Sequence, residues 1–360
     1  MQTAKRLRSC VALSTVLLVT ALVPAGILRG ADASGPGKTV LAIDGTRFTL
    51  NGTPTFLLGI SYYGGLGAPA DFLQRDLDDL QRYGFNWLRV WATWTVPNED
   101  ISAVTADGRP RQPYLGRLEH LVAECDRRGL VVDVTLSRGL DPMTATEGPK
   151  LPDLASHQRA VETIIAALKP YRNWYLDLGN ERDVGDARYV SLEDLKVLRE
   201  LVRRLDPPRL VTASFGGHDL SEDDLRDSLL TVGADLLCPH RPREAASPGQ
   251  TEAITRSCLA LMKDLGRTVP VHYQEPFRRG YGSWQPMARD FLTDLRGAQT
   301  GGAAGWCLHN GRQQGTPDGS PWRSFDLRKQ RLFEQLDPQE KEVTASVKAA
   351  LSAGTPRGTN

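Results

Sequence analysis

Cysteine is scarce in this chain, with five in 360 residues and no Cys-x-x-Cys spacing. That argues against a thiolate metal site, and leaves Cys125, Cys238, Cys258 and Cys307 either as free buried thiols or as disulfides. An excess of one charge is also lacking. Forty-four Lys and Arg stand against forty-three Asp and Glu, so there is no electrostatic footprint for nucleic acid or an anionic membrane, and a neutral partner is expected. No G-x-G-x-x-G or G-x-x-x-x-G-K-[ST] follows the first strand signal, which argues against a nucleotide-binding sheet. The chain has no G-x-S-x-G for a serine nucleophile, and its six His show no H-x-x-x-H spacing for zinc. No metal and no organic cofactor are expected.

A long apolar run occurs near the start, from Val11 to Leu28. Lys5, Arg6 and Arg8 precede it and Ala31-Asp32-Ala33 follows, the charge, apolar core and small-residue site of a secretory signal over residues 1–33. The alternative is an uncleaved anchor helix, since the run is long enough to span a bilayer. Pro24, Gly26 and the small residues favour removal, hence a secreted or periplasmic protein with no stable membrane association, expected to be a monomer. Residues 34–38 form a Gly/Pro/Ser linker, 39–352 the folded domain and 353–360 a disordered tail.

Val40–Ile43 and Thr46–Leu50, joined by Asp44-Gly45, predict a small hairpin that caps a larger fold. From Phe56 onward short apolar runs alternate with stretches of helical periodicity. Strands are expected at 56–60, 86–91, 130–136, 174–178, 209–213, 235–239, 269–273 and 303–308. Helices are expected between them, among them 71–83, 118–128, 154–168, 192–205, 225–232 and 252–265. Eight such units predict a (β/α)₈ barrel, an α/β fold, over an open doubly wound sheet.

In a barrel the working residues sit where strands end. Glu181 follows strand four beside Asn180, and Glu275 follows strand seven. Around them the same rule collects Tyr63, Arg89, Trp94, His240, Arg243, Trp306, His309 and Asn310. Two carboxylates within a crown of Arg, His, Asn and aromatic groups are the inventory of glycoside hydrolysis, which needs a proton on the leaving oxygen and a carboxylate at the anomeric carbon. The charge of Glu275 is expected to raise the pKa of Glu181, with Arg89 keeping Glu275 ionised.

From about Val40 to Leu308 the chain resembles the clan A glycoside hydrolases, most nearly the cellulase family, glycoside hydrolase family 5. Gly84-Phe85-Asn86-Trp87-Leu88-Arg89-Val90-Trp91 is similar to that family's strand-two signature and Gly179-Asn180-Glu181 to its strand-four Asn-Glu. The resemblance implies a retaining enzyme acting on a β-linked glucan, mannan or related oligosaccharide. It makes Glu181 the acid/base, Glu275 the nucleophile held by Arg89, and Asn180 the partner of the sugar 2-hydroxyl. His240 becomes a polar wall and Trp306 a sugar platform, with Tyr63 and Trp94 as further substrate contacts. One position departs: the family's strand-six His-x-Tyr reads His240-Arg241-Pro242, so Tyr273 or Arg243 is the candidate substitute. That loss supports a second reading, a carbohydrate-binding barrel without catalysis.

Overall fold

The computed structural model describes residues 38–139, 150–311 and 324–354. The expected leader, the linker up to residue 37 and the tail from residue 355 lie outside the described residues. Among the described residues no helix is long and apolar enough to cross a membrane.

The chain opens on three antiparallel strands, β1 (Leu41–Asp44), β2 (Arg47–Leu50) and β3 (Thr53–Thr55). Barrel strands follow as β4 (Leu57–Ser61) and β5 (Trp87–Trp91), with a short hairpin of β6 (Thr95–Val96) and β7 (Glu99–Asp100) behind them. Then come β8 (Val131–Thr135), β9 (Trp174–Asp177), β10 (Val211–Thr212), β11 (His272–Tyr273) and β12 (Gly305–Leu308). Seven of these pair in the parallel order β10-β9-β8-β5-β4-β12-β11.

The segment expected as the sixth strand closes the ring through isolated bridges alone. Leu237 pairs with Val271 and His240 with Glu275 on one side, and Phe215 with Pro239 on the other, all parallel. Pro239 has no N–H to give, so the ladder toward β10 cannot run unbroken through it. The strand counted from the sequence is present as a path of chain and absent as a continuous ladder.

Between the strands lie α1 (Ala70–Tyr83), α2 (Tyr114–Arg128), α3 (Leu154–Leu168), α4 (Leu192–Leu205) and α5 (Glu222–Arg226). They are followed by α6 (Ser247–Asp264), α7 (Ala288–Gly301), α8 (Leu332–Gln335) and α9 (Pro338–Gly354). In α1 Leu73, Leu77 and Leu80 fall on one buried stripe, and Gly84 ends the helix at φ 86°. The helix expected at 225–232 starts earlier, because Ser221 and Asp224 form a reciprocal cap, and it widens into a π-helical turn over Asp227–Val232. The helix α9 runs through Gly354, two residues into the span expected as the tail.

At the end where the strands begin, Phe48 of β2 is fully buried with Leu57, Trp87, Val131, Tyr175 and Leu236. The small sheet plugs the barrel there. Side chains fill the interior: a Cβ on Gly59 would lie 1.8 Å from the Trp87 ring. With one end plugged, the cavity that accepts a ligand is at the other, where the strands finish.

Candidate active site

Each expected carboxylate leaves the end of a strand in a fixed posture. Asp177 closes β9 and accepts the backbone N–H groups of Gly179 and Ser214 on Oδ1, both at 3.2 Å. This turns the chain so that Asn180 donates its N–H to Leu136 and Glu181 donates its own to the Ser214 hydroxyl. Glu181 sits at φ 47°, a left-handed conformation that costs a non-glycine residue energy and concentrates at functional positions. Glu275 follows β11 and pairs in parallel with His240, so both side chains come up on the same part of the rim.

Glu275 is almost wholly buried and richly bonded. Its Oε1 accepts from Arg89 Nη1 and from the Tyr63 hydroxyl, each at 2.6 Å, and its Oε2 accepts from Arg243 Nη2 at 2.8 Å. His309 Nε2 and His240 Nδ1 stand 3.3 and 3.6 Å from Oε2. Burial alone would raise this carboxyl's pKa, but His240, His309, Arg89 and Arg243 outweigh it and hold the group well below the usual range. Arg89 is anchored from below by Asp177, Asp133, Asn180 Oδ1 and the Thr135 hydroxyl. The Asp133 carboxyl beneath it is pushed up to about 7 by burial.

His309 is fully buried, and that burial holds its pKa well below the ordinary imidazole range. Arg278 Nη1 lies 3.2 Å from its Nε2, and the Ser61 and Tyr63 hydroxyls lie 3.0 and 3.1 Å from its Nδ1.

Glu181 has different company. His240 Nδ1 lies 3.3 Å from Oε1 and Arg243 Nη2 3.5 Å from the same oxygen, while Arg188 binds Oε2 from the rim. Arg188 is itself held by Asp186, Nη2 to Oδ2 at 2.8 Å. Burial raises the pKa of Glu181, but the His240 hydrogen bond and the nearby cations overcome both burial and the charge of Glu275, so the carboxyl rests below its usual value. This reverses the expected direction: Glu275 does push upward, and the cations push harder. Oxygens of Glu181 and Glu275 and a ring nitrogen of His240 all lie within 4.8 Å of one another.

The carboxylates open onto a cavity of about 420 Å³, lined in part by Tyr63, Trp94, Asn180, Tyr281 and Phe325. Asn180, Tyr63 and Trp94, expected as substrate contacts, thus lie on its wall. Arg89 and His240 are fully buried behind the carboxylates and do not line the cavity. Trp306 requires correction. Its side chain is fully buried, faces the helix layer and donates Nε1–H to Asp294 of α7 at 2.6 Å, so it is no sugar platform. Alternation along β12 turns Trp306 outward, because successive strand residues face opposite sides. Aromatic surface at the mouth comes instead from Trp94, Phe325 and Tyr281.

The vacancy at Pro242 is filled by another route. Tyr273 bonds the Thr255 hydroxyl on α6 and does not reach Glu275, whereas Tyr63 brings a hydroxyl to Oε1 and Arg243 a guanidinium to Oε2. Arg188 and Phe325 were not singled out by sequence reasoning, and Arg278 and Tyr281 only as part of the stretch 278–286 expected to wall the subsites. All four come from loops without periodicity, and Arg188-Asp186 offers only a charged pair seven and five residues past Glu181.

Glu181, His240 and Glu275 also form the set best placed to hold a metal ion among the described residues. Their oxygens already serve Arg89, Arg188 and Arg243. A divalent cation would have to expel guanidinium groups from the same lone pairs, so the donor set fits arginine better than metal.

No family profile and no curated protein matches the sequence. Solved structures do. An endo-1,4-beta-mannanase from Rhizomucor miehei is similar at 14% identity with a TM-score of 0.62, over 87% of this chain and 99% of that one. A glycoside hydrolase family 5 protein from Bacteroides vulgatus ATCC 8482 is similar at 17% identity and TM-score 0.63, over 85% and 70%. Another protein of that organism reaches 0.65 at 16% identity, and there this chain spans 62% of the other's length. The shared feature is the barrel fold.

Proposed function

We propose that this chain is a retaining β-glycoside hydrolase, with Glu275 as nucleophile and Glu181 as acid/base. The observation that carries this reading is the carboxylate pair, oxygens within 4.8 Å, with one member ionised by a rigid cradle. Retaining enzymes hold their carboxyl groups about 5 to 5.5 Å apart, whereas inverting ones need about 6.5 to 9.5 Å to admit a water. Fold likeness to a mannanase supports the β-linked polysaccharide class, and the leader-like first 33 residues support action outside the cytoplasm.

Attack by Glu275 Oε2 on the anomeric carbon forms a glycosyl ester, and Glu181 gives its proton to the leaving oxygen. Water then enters, Glu181 takes its proton, and the ester opens with Glu275 leaving as carboxylate. Asn180 is held by Arg89 through Oδ1, so its N–H₂ end serves the sugar 2-hydroxyl. Arg188 occupies the Glu181 oxygen that must face the leaving group. Arriving substrate displaces it, after which burial and Glu275 raise the proton affinity of Glu181 as an acid requires. The reading of a barrel without catalysis lost its support once Tyr63 supplied the missing hydroxyl.

Glu275→Gln is expected to abolish release of nitrophenol from chromogenic β-glycosides while circular dichroism stays native. Undiminished turnover in that variant refutes the assignment.

A further inference from the structure

Gln274 is fully buried one residue before Glu275 and does not line the cavity. Just past β11 it falls on the same face as His272, and both meet the Tyr175 hydroxyl inside the barrel, each at 3.3 Å. The Nε2 end of the amide also donates to Asp133 Oδ2. That oxygen accepts the Tyr175 O–H at 3.0 Å and faces Arg89 Nε at 3.3 Å, so it presents lone pairs, and the amide nitrogen is the end that suits it. The amide oxygen is thereby turned the other way, to 3.4 Å from His240 Nε2.

Both ring nitrogens of His240 therefore face acceptors. Nε2 faces an amide oxygen, which has no proton to give. Nδ1 faces Glu181 Oε1 at 3.3 Å and Glu275 Oε2 at 3.6 Å. Arg89, Tyr63 and Arg243 hold Glu275, and Arg188 and Arg243 hold Glu181, so both carboxylates are stabilised apart from the ring. His309 Nε2 is a further titratable neighbour, 3.3 Å from Glu275 Oε2. His240 is fully buried, and a bare nitrogen on either side would set lone pair against lone pair. A proton on each nitrogen satisfies every one of these acceptors.

We propose that Gln274 is a positioning residue for the acid/base: its amide oxygen takes Nε2–H of His240, so the ring is doubly protonated and donates Nδ1–H to Glu181 Oε1. The consequence for catalysis rests on the hydrolase reading and deepens it. Because Nδ1–H occupies Oε1, a proton arriving at Glu181 goes to Oε2, the oxygen that meets the leaving group. No bond within the ring has to break in either half-reaction. While Glu275 is ionised the imidazolium has that charge beside it, and once Glu275 is an ester, Glu181 takes its place as the base.

The test is two-bond proton–nitrogen NMR correlation of the full chain with isotope-labelled histidines, the His240 signals being identified by their loss in His240→Asn. Two protonated nitrogens are expected for His240 at neutral pH. In Gln274→Met, Nε2 should lose its proton while Nδ1 keeps its own, and Gln274→Glu, whose carboxylate again accepts, should restore both. Glu181 loses a neighbouring cation in Gln274→Met, so its proton affinity rises and the basic limb of kcat/KM should move up by about one pH unit, returning in Gln274→Glu. A native ring with one protonated nitrogen overturns the inference, as does a Gln274→Met ring that keeps both protons. If Gln274→Met does not fold, the native spectrum and Gln274→Glu decide by the same signals. Turnover of glycosides by a protein whose native ring holds one proton leaves the hydrolase standing and removes the role of Gln274. A doubly protonated ring that answers to Gln274, in a protein that cleaves no glycoside, does the reverse.

Discussion

Tyr63→Phe removes one oxygen from the nucleophile's cradle and little else. The ring keeps its stacking on Phe325, centroids 5.3 Å apart, and its tilted contacts with Trp91 and Trp94. What is lost is the 2.6 Å bond to Glu275 Oε1 and the 3.1 Å contact with His309. A hydrogen bond to a charged group contributes about 1.5–3 kcal/mol, or about ten- to a hundredfold in rate where it acts on a transition state. The two half-reactions feel it unequally. In the first, Glu275 spends its charge, so the bond weakens on the way to the transition state and its loss costs little. In the second, Glu275 leaves the sugar as an anion, and the missing O–H removes stabilisation as charge returns. The variant should therefore lose about tenfold or more in kcat, with KM falling alongside and kcat/KM nearly unchanged. Stopped-flow release of nitrophenol should show a burst as the glycosyl-enzyme accumulates. Equal losses in kcat and kcat/KM with no burst would refute the assignment of Glu275 as the group that leaves.

Arg188→Gln takes a cation from Glu181, so the proton affinity of the acid rises and the basic limb of kcat/KM moves to higher pH; a profile that stays put or moves down contradicts the displacement described above. Trp306→Phe should leave kcat and KM unaltered, yet cost about 1–3 kcal/mol in urea unfolding, because Asp294 loses the indole donor in a buried site. A large loss of activity at unchanged stability would return Trp306 to the site. Gly59→Ala places a methyl group 1.8 Å from the Trp87 ring and should destabilise the barrel by about 3 kcal/mol or more, read as a lower denaturant midpoint; a neutral outcome would mean the ring is free to move.

The strands that carry the site were legible because parallel barrel strands are short apolar runs punctuated by helices: β8 and β9 lie inside the ranges expected for them. Glu181 and Glu275 were legible for the same reason, each being the first carboxylate past such a run. Trp306 was misplaced because β12 is buried on both faces, and an unbroken apolar run does not reveal which residues turn inward. The sixth strand was overcounted because Pro239 breaks the ladder without breaking the apolar pattern. Arg243 was legible as the strand-six substitute, but its meeting with Arg278 and Tyr281 was not, since that depends on how two loops fold over the rim. A chain balanced at forty-four to forty-three can still gather arginines at one mouth.

On the proposed reading, the environments of the two glutamates fit their roles better than position alone would. The fixed donors to Glu275 come from the barrel and its immediate strand ends, Arg89 on β5 and Tyr63 after β4. Neither can withdraw without dismantling a strand, so this carboxylate stays ionised whether or not substrate is present, as a nucleophile must. Glu181 shares His240 with Glu275 but receives Arg188 from a loop, a side chain 30% exposed and tied to Asp186 at the surface. A partner that can leave is a partner that can change the proton affinity of what it leaves. An acid/base has to bind a proton in one half-reaction and release it in the other, so the glutamate with the removable arginine is the one suited to that task. Exchanging the roles would demand that the buried cradle open and close with every turnover.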